Sequence, residues 1–307
     1  MAQNNFPGGA WPVMLTPFTQ DNQVDYKALA DLTEWYIKNG CSGLFSDCQS
    51  SEMFFLTLEE RVKIAKTVLD TAKGRVPVIV SGHISDKIED QITEMQEISK
   101  LKPAALIFIT NRFAKETESD EIWRKNCEKV MNALPADLPL GLYECPYPYK
   151  RLISDDNLKW CASTERFYFV KDTCCDLELI KRRVEITKGS IFKIYNANTT
   201  TLLDSLKCGC AGFCGVMASF QMDLYAWLCE HLEDPRAQKL QHLLTITSLI
   251  ERQCYPVNAK YYLKTFEGLN LTTVCRTRKD SELTATFKDE VAQLKALTEE
   301  VRKELKI

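Results

Sequence analysis

The sequence predicts an α/β fold, a (β/α)8 TIM barrel with a C-terminal helical extension. Three observations support this prediction: short apolar segments recur along the first two-thirds of the chain, most intervals between them have helical periodicity, and only helical periodicity follows residue 216. Near-continuous apolar strands separated by helices are typical of a parallel sheet covered on both faces. A doubly wound sheet is the alternative, but no Gly-x-Gly-x-x-Gly turn follows the first predicted strand.

Eight segments are predicted as barrel strands, spaced about 20–35 residues apart, as repeated strand–helix–strand units require. They are residues 11–15, 43–47, 76–80, 105–109, 139–143, 167–171, 191–195 and 212–216. The helices between them have recognisable boundaries. Residues 25–39 carry apolar side chains on one face and are followed by Gly40, while Thr57 and Glu60 open the next helix with a capping box.

The predicted barrel occupies residues 1–220, and residues 221–307 form a helical extension packed on it. Asp234-Pro235 and Tyr255-Pro256 divide this extension into roughly three helices, the last of them at 281–305. No linker rich in Gly, Ser or Pro precedes it. We therefore expect an appendage of the barrel and not an independent domain.

Composition excludes several classes of protein. The 307 residues are 45% hydrophobic and 26% charged, which is too apolar for a disordered chain. The net charge of -3 does not suit a nucleic-acid binder, and no apolar run is long enough for a membrane helix. The N-terminus lacks the basic and apolar regions of a signal peptide, so we expect a cytoplasmic protein whose 13 cysteines are reduced. Cys208, Cys210 and Cys214 lack the paired spacing of a zinc site.

The ends of strands five and six hold the most informative side chains, because chemistry in this fold lies at the carboxyl ends of the strands. Lys171 follows an apolar run, where burial favours a free amine that can attack a ketone and form a Schiff base. Tyr143 ends the neighbouring strand, and its phenol can carry protons to and from an imine. Two structural alternatives stay open: Lys171 reaching solvent or pairing with Asp172, and Tyr143 packing beneath a loop.

Seven motifs, in order from about residue 8 to residue 220, resemble the dihydrodipicolinate synthase / N-acetylneuraminate lyase family. They are Gly9 with Thr16-Pro17-Phe18, Gly40 with Gly43, Ser50 with Glu52, Leu56 with Glu60-Arg61, Gly74-Arg75 with Pro77-Val78, Tyr143 with Pro146, and Val170-Lys171-Asp172. The resemblance implies a class I aldolase-type barrel, commonly tetrameric, that acts on pyruvate or related 2-oxo acids. It also implies that Lys171 forms the Schiff base and that Tyr143 shuttles protons.

The turn after strand two departs from the family's usual Gly-Thr-Thr-Gly-Glu sequence and reads Cys-Gln-Ser-Ser-Glu over residues 48–52. We expect Gln49, Ser50, Ser51 and nearby backbone N–H groups to hold the substrate carboxylate. Because Ser51 replaces a glycine, the geometry of the turn is left open. His83, after strand three, and Asn196, after strand seven, are further candidates for substrate contacts, with a structural role as the alternative for His83.

Two other departures concern the second substrate and the neighbouring subunit. Residues 111–114 contain no tyrosine, although typical members lend a tyrosine from this segment to the proton relay of a neighbouring subunit. Pro148 stands where the synthases have the arginine that grips their second substrate. Both departures favour a second substrate different from that of dihydrodipicolinate synthases.

The sequence therefore predicts a class I Schiff-base lyase that acts on a 2-oxo acid, by reversible aldol cleavage of a sugar-derived 2-oxo acid to pyruvate and an aldehyde. Dehydration through the same imine is one alternative, and a non-catalytic barrel that binds a keto acid is another. We expect no cofactor, no metal, no nucleic-acid or membrane partner, and a homo-oligomer, either a tetramer or a dimer.

Overall fold

The computed structural model of the protein describes residues 6–307 and contains eight parallel strands in one sheet. The strands are β1 Gly9–Ala10, β2 Leu44–Ser46, β3 Val78–Val80, β4 Ala105–Ile109, β5 Leu140–Tyr143, β6 Phe167–Asp172, β7 Lys193–Asn196 and β8 Gly212–Phe213. Their order in the sheet is β1-β8-β7-β6-β5-β4-β3-β2. A parallel bridge between Val13 and Phe45 joins the two ends of this order, which confirms the predicted barrel.

Helices alternate with the strands around the sheet. They are α1 Tyr26–Lys38, α2 Leu58–Ala72, α3 Ile88–Ser99, α4 Asp120–Asn132, α5 Asp155–Ser163, α6 Leu177–Thr187, α7 Leu202–Lys207 and α8 Ala218–Glu230. The capping box predicted at the start of α2 is confirmed, because Thr57 accepts from the Glu60 N–H while Glu60 accepts from the Thr57 N–H. These reciprocal bonds satisfy two amides at the helix end.

The first strand differs from the predicted residues 11–15. Trp11 still donates its N–H to the Phe213 carbonyl of β8, at 2.8 Å, whereas Met14 donates to the Phe45 carbonyl of β2, at 3.0 Å. Pro12, between them, has no N–H to contribute to a regular ladder. The regular strand therefore ends before Pro12, and the following residues cross from β8 to β2 and close the barrel.

The C-terminal part contains one helix more than the roughly three predicted from residue 221. After α8 come α9 Ala237–Thr247, α10 Val257–Phe266 and α11 Ala285–Leu305. Gln221 has φ -131° and ψ 47°, which interrupts α8 after its first turn and explains why regular periodicity is recognisable only beyond that residue. The breaks predicted at Asp234-Pro235 and Tyr255-Pro256 do separate helices.

The extension shares one hydrophobic core with the barrel. Leu244, Leu263 and Leu294, from α9, α10 and α11, belong to the same buried cluster as residues of the strands and barrel helices. Throughout residues 6–307, no helix has both the length and the apolar character needed to span a membrane. The thirteen cysteines are all free thiols.

A buried ion pair connects the extension to the turn after β2. The Lys260 ammonium of α10 lies 2.9 Å from the Glu52 carboxylate, and both side chains are almost completely buried. The same carboxylate accepts hydrogen bonds from the backbone N–H groups of Arg276 and Thr277. Glu52 therefore anchors the turn to two segments of the extension.

We expect Lys260→Met to lower the free energy of unfolding by about 3–5 kcal/mol, because it leaves the Glu52 carboxylate buried without its cation. Urea unfolding at pH 7 measures this loss. Lys264→Met, at an exposed position of the same helix, is the matched control and should change stability little. Equal effects of the two substitutions would contradict a structural role for the ion pair.

Candidate active site

Lys171 and Tyr143 lie side by side at the carboxyl ends of β6 and β5. The two residues are register partners in the sheet, and the Lys171 Nζ lies 4.6 Å from the centroid of the Tyr143 ring. Both side chains are buried, with 5% of Lys171 exposed. The structure therefore places the predicted Schiff-base lysine and the predicted proton-shuttling tyrosine next to each other.

Both residues line a cavity of about 360 Å³ at the mouth of the barrel. The strand ends and the extension each contribute to its wall. The residues that matter most for its chemistry are Gln49, Ser50, Tyr143, Lys171, Glu251 and Tyr255. A cavity at this face of the barrel is where this fold places its active sites.

A buried network behind the cavity holds the ends of β5 and β6 in position. Glu144 and Asp172 directly follow Tyr143 and Lys171, and their side chains point away from the cavity because successive strand residues alternate. The Arg183 guanidinium of α6 donates to both carboxylates, at 2.7 Å to Glu144. Glu144 also accepts from the N–H of Thr173. These bonds tie two strand ends and one helix together.

The turn over residues 47–52 accommodates the departure from the family sequence. Its two left-handed residues are Asp47, with φ 53°, and Glu52, with φ 61°, so the glycine replaced by Ser51 is not required for a positive φ. The Ser51 hydroxyl donates to the Met14 carbonyl at 2.6 Å and accepts from the Cys48 N–H at 3.1 Å. Ser51 therefore lies outside the cavity and stabilises the turn, whereas Gln49 and Ser50 line the cavity.

His83 is also outside the cavity. Gln91 donates its amide to the Arg112 carbonyl, which turns its oxygen toward the His83 Nδ1 at 2.9 Å. The Nε2 accepts from the Ile109 N–H, so these bonds assign a neutral ring with its proton on Nδ1. Burial lowers the pKa of His83 to about 3. A ring that stays neutral, with a hydrogen bond at each of its two nitrogens, does not serve as an acid or a base near pH 7.

Asn196 makes structural contacts in place of the substrate contact proposed for it. Its side-chain amide donates to the hydroxyls of Thr201 and Ser205, each at 2.9 Å, and its oxygen accepts from the Asn198 N–H at 2.7 Å. Asn196 is fully buried and does not line the cavity, whereas Asn198 does. Asn198, in the same loop, is therefore the asparagine that borders the cavity.

The segment without a tyrosine, residues 111–114, supports the loop after β5. The Asn111 amide donates to the carbonyls of Cys145 and Tyr147, each at 2.9 Å. Phe113 is buried against the His83 ring, with the ring centroids 5.2 Å apart. Asn111 therefore holds the loop after β5, and Phe113 packs on His83.

Two cavity residues, Glu251 and Tyr255, have no signal in the sequence beyond the Tyr255-Pro256 break. Glu251 lies in the 3-10 helix Ser248–Arg252, and the sequence around it does not distinguish it from other charged surface residues. Burial raises the pKa of Glu251, and the charge of Lys171 opposes that rise. The Tyr255 hydroxyl is buried beside the hydroxyls of Ser50 and Ser219, and burial raises its pKa. Only the packing of the extension on the barrel brings them to the cavity.

Comparison with known proteins agrees with this architecture. The model of the Dihydrodipicolinate synthetase family matches residues 7–296. The 4-hydroxy-tetrahydrodipicolinate synthase of Clostridium perfringens (strain SM101 / Type A) is 25% identical over 281 residues, which cover 90% of this chain and 94% of that protein.

Two solved structures share the fold. YagE, a prophage protein of E. coli K12 in complex with pyruvate, has a TM-score of 0.84 and 21% identity, with 95% of this chain and 98% of that chain covered. CdNal from Clostridium difficile, in complex with mannosamine, has a TM-score of 0.83 and 18% identity, with 95% and 99% covered.

We expect His83 to stay neutral down to pH 5. Its pKa of about 3 in the folded protein is below the usual value near 6.5, so its contribution to stability is present above about pH 6.5 and is lost as the pH falls toward 3. NMR of the three histidine rings can follow this, with the His83 signal identified by its absence in His83→Gln. A titration midpoint between pH 6 and 7 for that signal would contradict the buried, neutral ring.

Proposed function

This chain belongs to the dihydrodipicolinate synthetase family, and we propose that it is a class I lyase that reversibly cleaves a sugar-derived 2-oxo acid to pyruvate and an aldehyde. Family membership supports a lyase or synthase of the pyruvate-dependent, Schiff-base type. The observation that carries the proposal is the buried amine of Lys171, 4.6 Å from the Tyr143 ring inside one cavity.

Lys171 supplies the nucleophile in this proposal. Its amine attacks the C2 carbonyl of the 2-oxo acid, and the resulting carbinolamine loses water to form an iminium ion. The iminium accepts the electron pair of the C3–C4 bond when that bond breaks, which releases the aldehyde and leaves an enamine. Protonation of the enamine at C3 and hydrolysis then release pyruvate and regenerate the amine.

Tyr143 moves the protons that these steps require. Burial raises the pKa of Tyr143, so the side chain starts as a neutral phenol and can protonate the departing hydroxyl of the carbinolamine. The phenolate formed in this way lies beside the positive iminium, which stabilises it. It then accepts the proton of the C4 hydroxyl as the C3–C4 bond breaks, and returns it to C3.

Gln49 and Ser50 are the groups proposed to hold the substrate carboxylate. Both line the cavity with Lys171 and offer neutral hydrogen-bond donors. Their backbone amides open a 3-10 helix, where the first N–H groups have no acceptor within the helix. The Glu52 anchor to the extension keeps this turn in place next to Lys171.

The second substrate is proposed to be a neutral aldehyde. Pro148 has no cation to offer to the carboxylate of aspartate semialdehyde, and the ammonium of Lys150, the second lysine of the cavity, donates to the Thr173 carbonyl at 2.7 Å. Both observations support a partner other than the one that dihydrodipicolinate synthases use. We also propose that the chain forms a homo-oligomer, a tetramer or a dimer.

Borohydride reduction in the presence of pyruvate should trap a covalent adduct on Lys171, because the reduced imine cannot hydrolyse. Peptide mass spectrometry locates the adduct. Lys171→Ala should abolish it, whereas Lys150→Ala, which removes the other lysine lining the cavity, should leave it intact. An adduct on Lys150, or none on any lysine, would contradict the proposal.

Tyr143→Phe should lower turnover by about 100–10,000-fold while a trappable imine still forms, more slowly. The substitution keeps the ring beside Lys171 and removes only the hydroxyl that moves protons. Steady-state rates and borohydride trapping on the same samples separate the two effects. Tyr168→Phe, on the same barrel wall but outside the cavity, is the control, and near-normal turnover by Tyr143→Phe would remove Tyr143 from the mechanism.

A further inference from the structure

Within residues 6–307, the only acidic side chain that lines the cavity comes from outside the strands. Glu251 belongs to the 3-10 helix Ser248–Arg252 that follows α9, and it borders the cavity that contains Lys171 and Tyr143. Among residues 6–307, the groups that act on its carboxylate are the charges of Lys171 and Arg252, and neither donates a hydrogen bond to it. The carboxylate is therefore available to a molecule that occupies the cavity.

Folding alone does not explain this carboxylate. Burial raises the pKa of Glu251, which means that its ionised form is less favourable in the folded protein than in water. The charges of Lys171 and the exposed Arg252 offset this cost only in part, and Tyr225 is a further titratable group within its influence. A partly buried charge without a direct partner, in a cleft, is typical of a group that a ligand uses.

The charges of the cavity determine which part of a substrate meets Glu251. A 2-oxo acid has a carboxylate next to its ketone, and like charges repel strongly where water is scarce. That carboxylate is favoured at the neutral donors Gln49 and Ser50 and disfavoured at Glu251. With the ketone at Lys171, Glu251 is left to contact the remainder of the molecule, beyond the bond that breaks.

We propose that Glu251 selects the aldehyde portion of the substrate, accepting hydrogen bonds from its hydroxyl or ammonium groups and excluding aldehydes that carry a carboxylate or phosphate. The inference rests on the proposed function, in which the ketone is bound as an imine on Lys171. Hydrogen bonds to an ionised acceptor are stronger than those between neutral groups, so a polyhydroxylated aldehyde benefits most. Glu251 is thus a specificity-determining residue supplied by the extension.

The test compares two aldehydes that differ in charge. Condensation of pyruvate with D-glyceraldehyde, which is neutral, should be more efficient than condensation with succinate semialdehyde, which is anionic. Glu251→Gln keeps the shape of the side chain and removes its charge. We expect it to lower kcat/KM for D-glyceraldehyde by about 10–100-fold and to leave that for succinate semialdehyde unchanged or higher. Glu233→Gln, at an exposed position, should change neither.

Trapping with pyruvate and borohydride distinguishes the failure of this inference from failure of the proposed function. Glu251→Gln should still form the adduct on Lys171. If the wild-type protein forms no adduct, the proposed function itself is wrong. With the imine trapped, three results overturn the assignment of Glu251: equal effects of Glu251→Gln on the two aldehydes, a wild-type preference for succinate semialdehyde, and no condensation with either.

Thermal unfolding shows whether Glu251→Gln affects folding and not specificity. Because the pKa of Glu251 is raised in the folded state, its ionisation destabilises the fold, and this cost appears as the pH rises through that pKa. Glu251→Gln should therefore be at least as stable as the wild-type protein at pH 7. A marked loss of stability would instead assign Glu251 a structural role and overturn the proposal.

Discussion

The double ion pair of Arg183 with Glu144 and Asp172 is the interaction on which the geometry of the site depends. It lies in the layer between sheet and helices, where water is excluded, and connects the residues immediately after Tyr143 and Lys171. Removal of one member of such a pair leaves a buried charge without a partner, at a cost of about 3–5 kcal/mol. The network therefore resists any relative movement of the two strand ends that carry the amine and the phenol.

A second buried ion pair, between Glu52 and Lys260, holds the other wall of the cavity in position. Glu52 is the last residue of the turn that carries Gln49 and Ser50, and Lys260 connects it to α10 of the extension. Arg276 and Thr277 add backbone hydrogen bonds to the same carboxylate. The extension is thus not only a cover for apolar surface: it holds the turn in place, and it brings Glu251 and Tyr255 into the cavity.

The departures from the family sequence have physical explanations in this chain. Ser51 replaces a glycine without strain because the left-handed conformations fall at Asp47 and Glu52. Asn111 and Phe113 stand in the segment where typical relatives have a tyrosine, and here they hold the loop after β5 and pack on His83. The cavity instead contains a tyrosine from its own extension, Tyr255, whose buried hydroxyl lies beside the hydroxyl of Ser50.

The sequence by itself determined the barrel, the positions of Lys171 and Tyr143, and the breaks between the C-terminal helices. These features depend on local properties of the chain: apolar strand periodicity, residues at strand ends and proline positions. Such properties can be recognised without the tertiary structure. The first strand, predicted at residues 11–15, instead ends before Pro12, because the residues that follow cross from β8 to β2. That crossing depends on which strands lie on either side.

Only the tertiary structure decided which of the other polar residues face the cavity. His83, Ser51 and Asn196 are polar residues near strand ends, but each satisfies its hydrogen bonds inside the protein. Glu251 lies about 80 residues beyond Lys171 in an unremarkable charged segment, and it reaches the site through the docking of the extension on the barrel. Contacts between residues so far apart in the chain depend on how whole elements pack, and a pattern of neighbouring residues does not encode that packing.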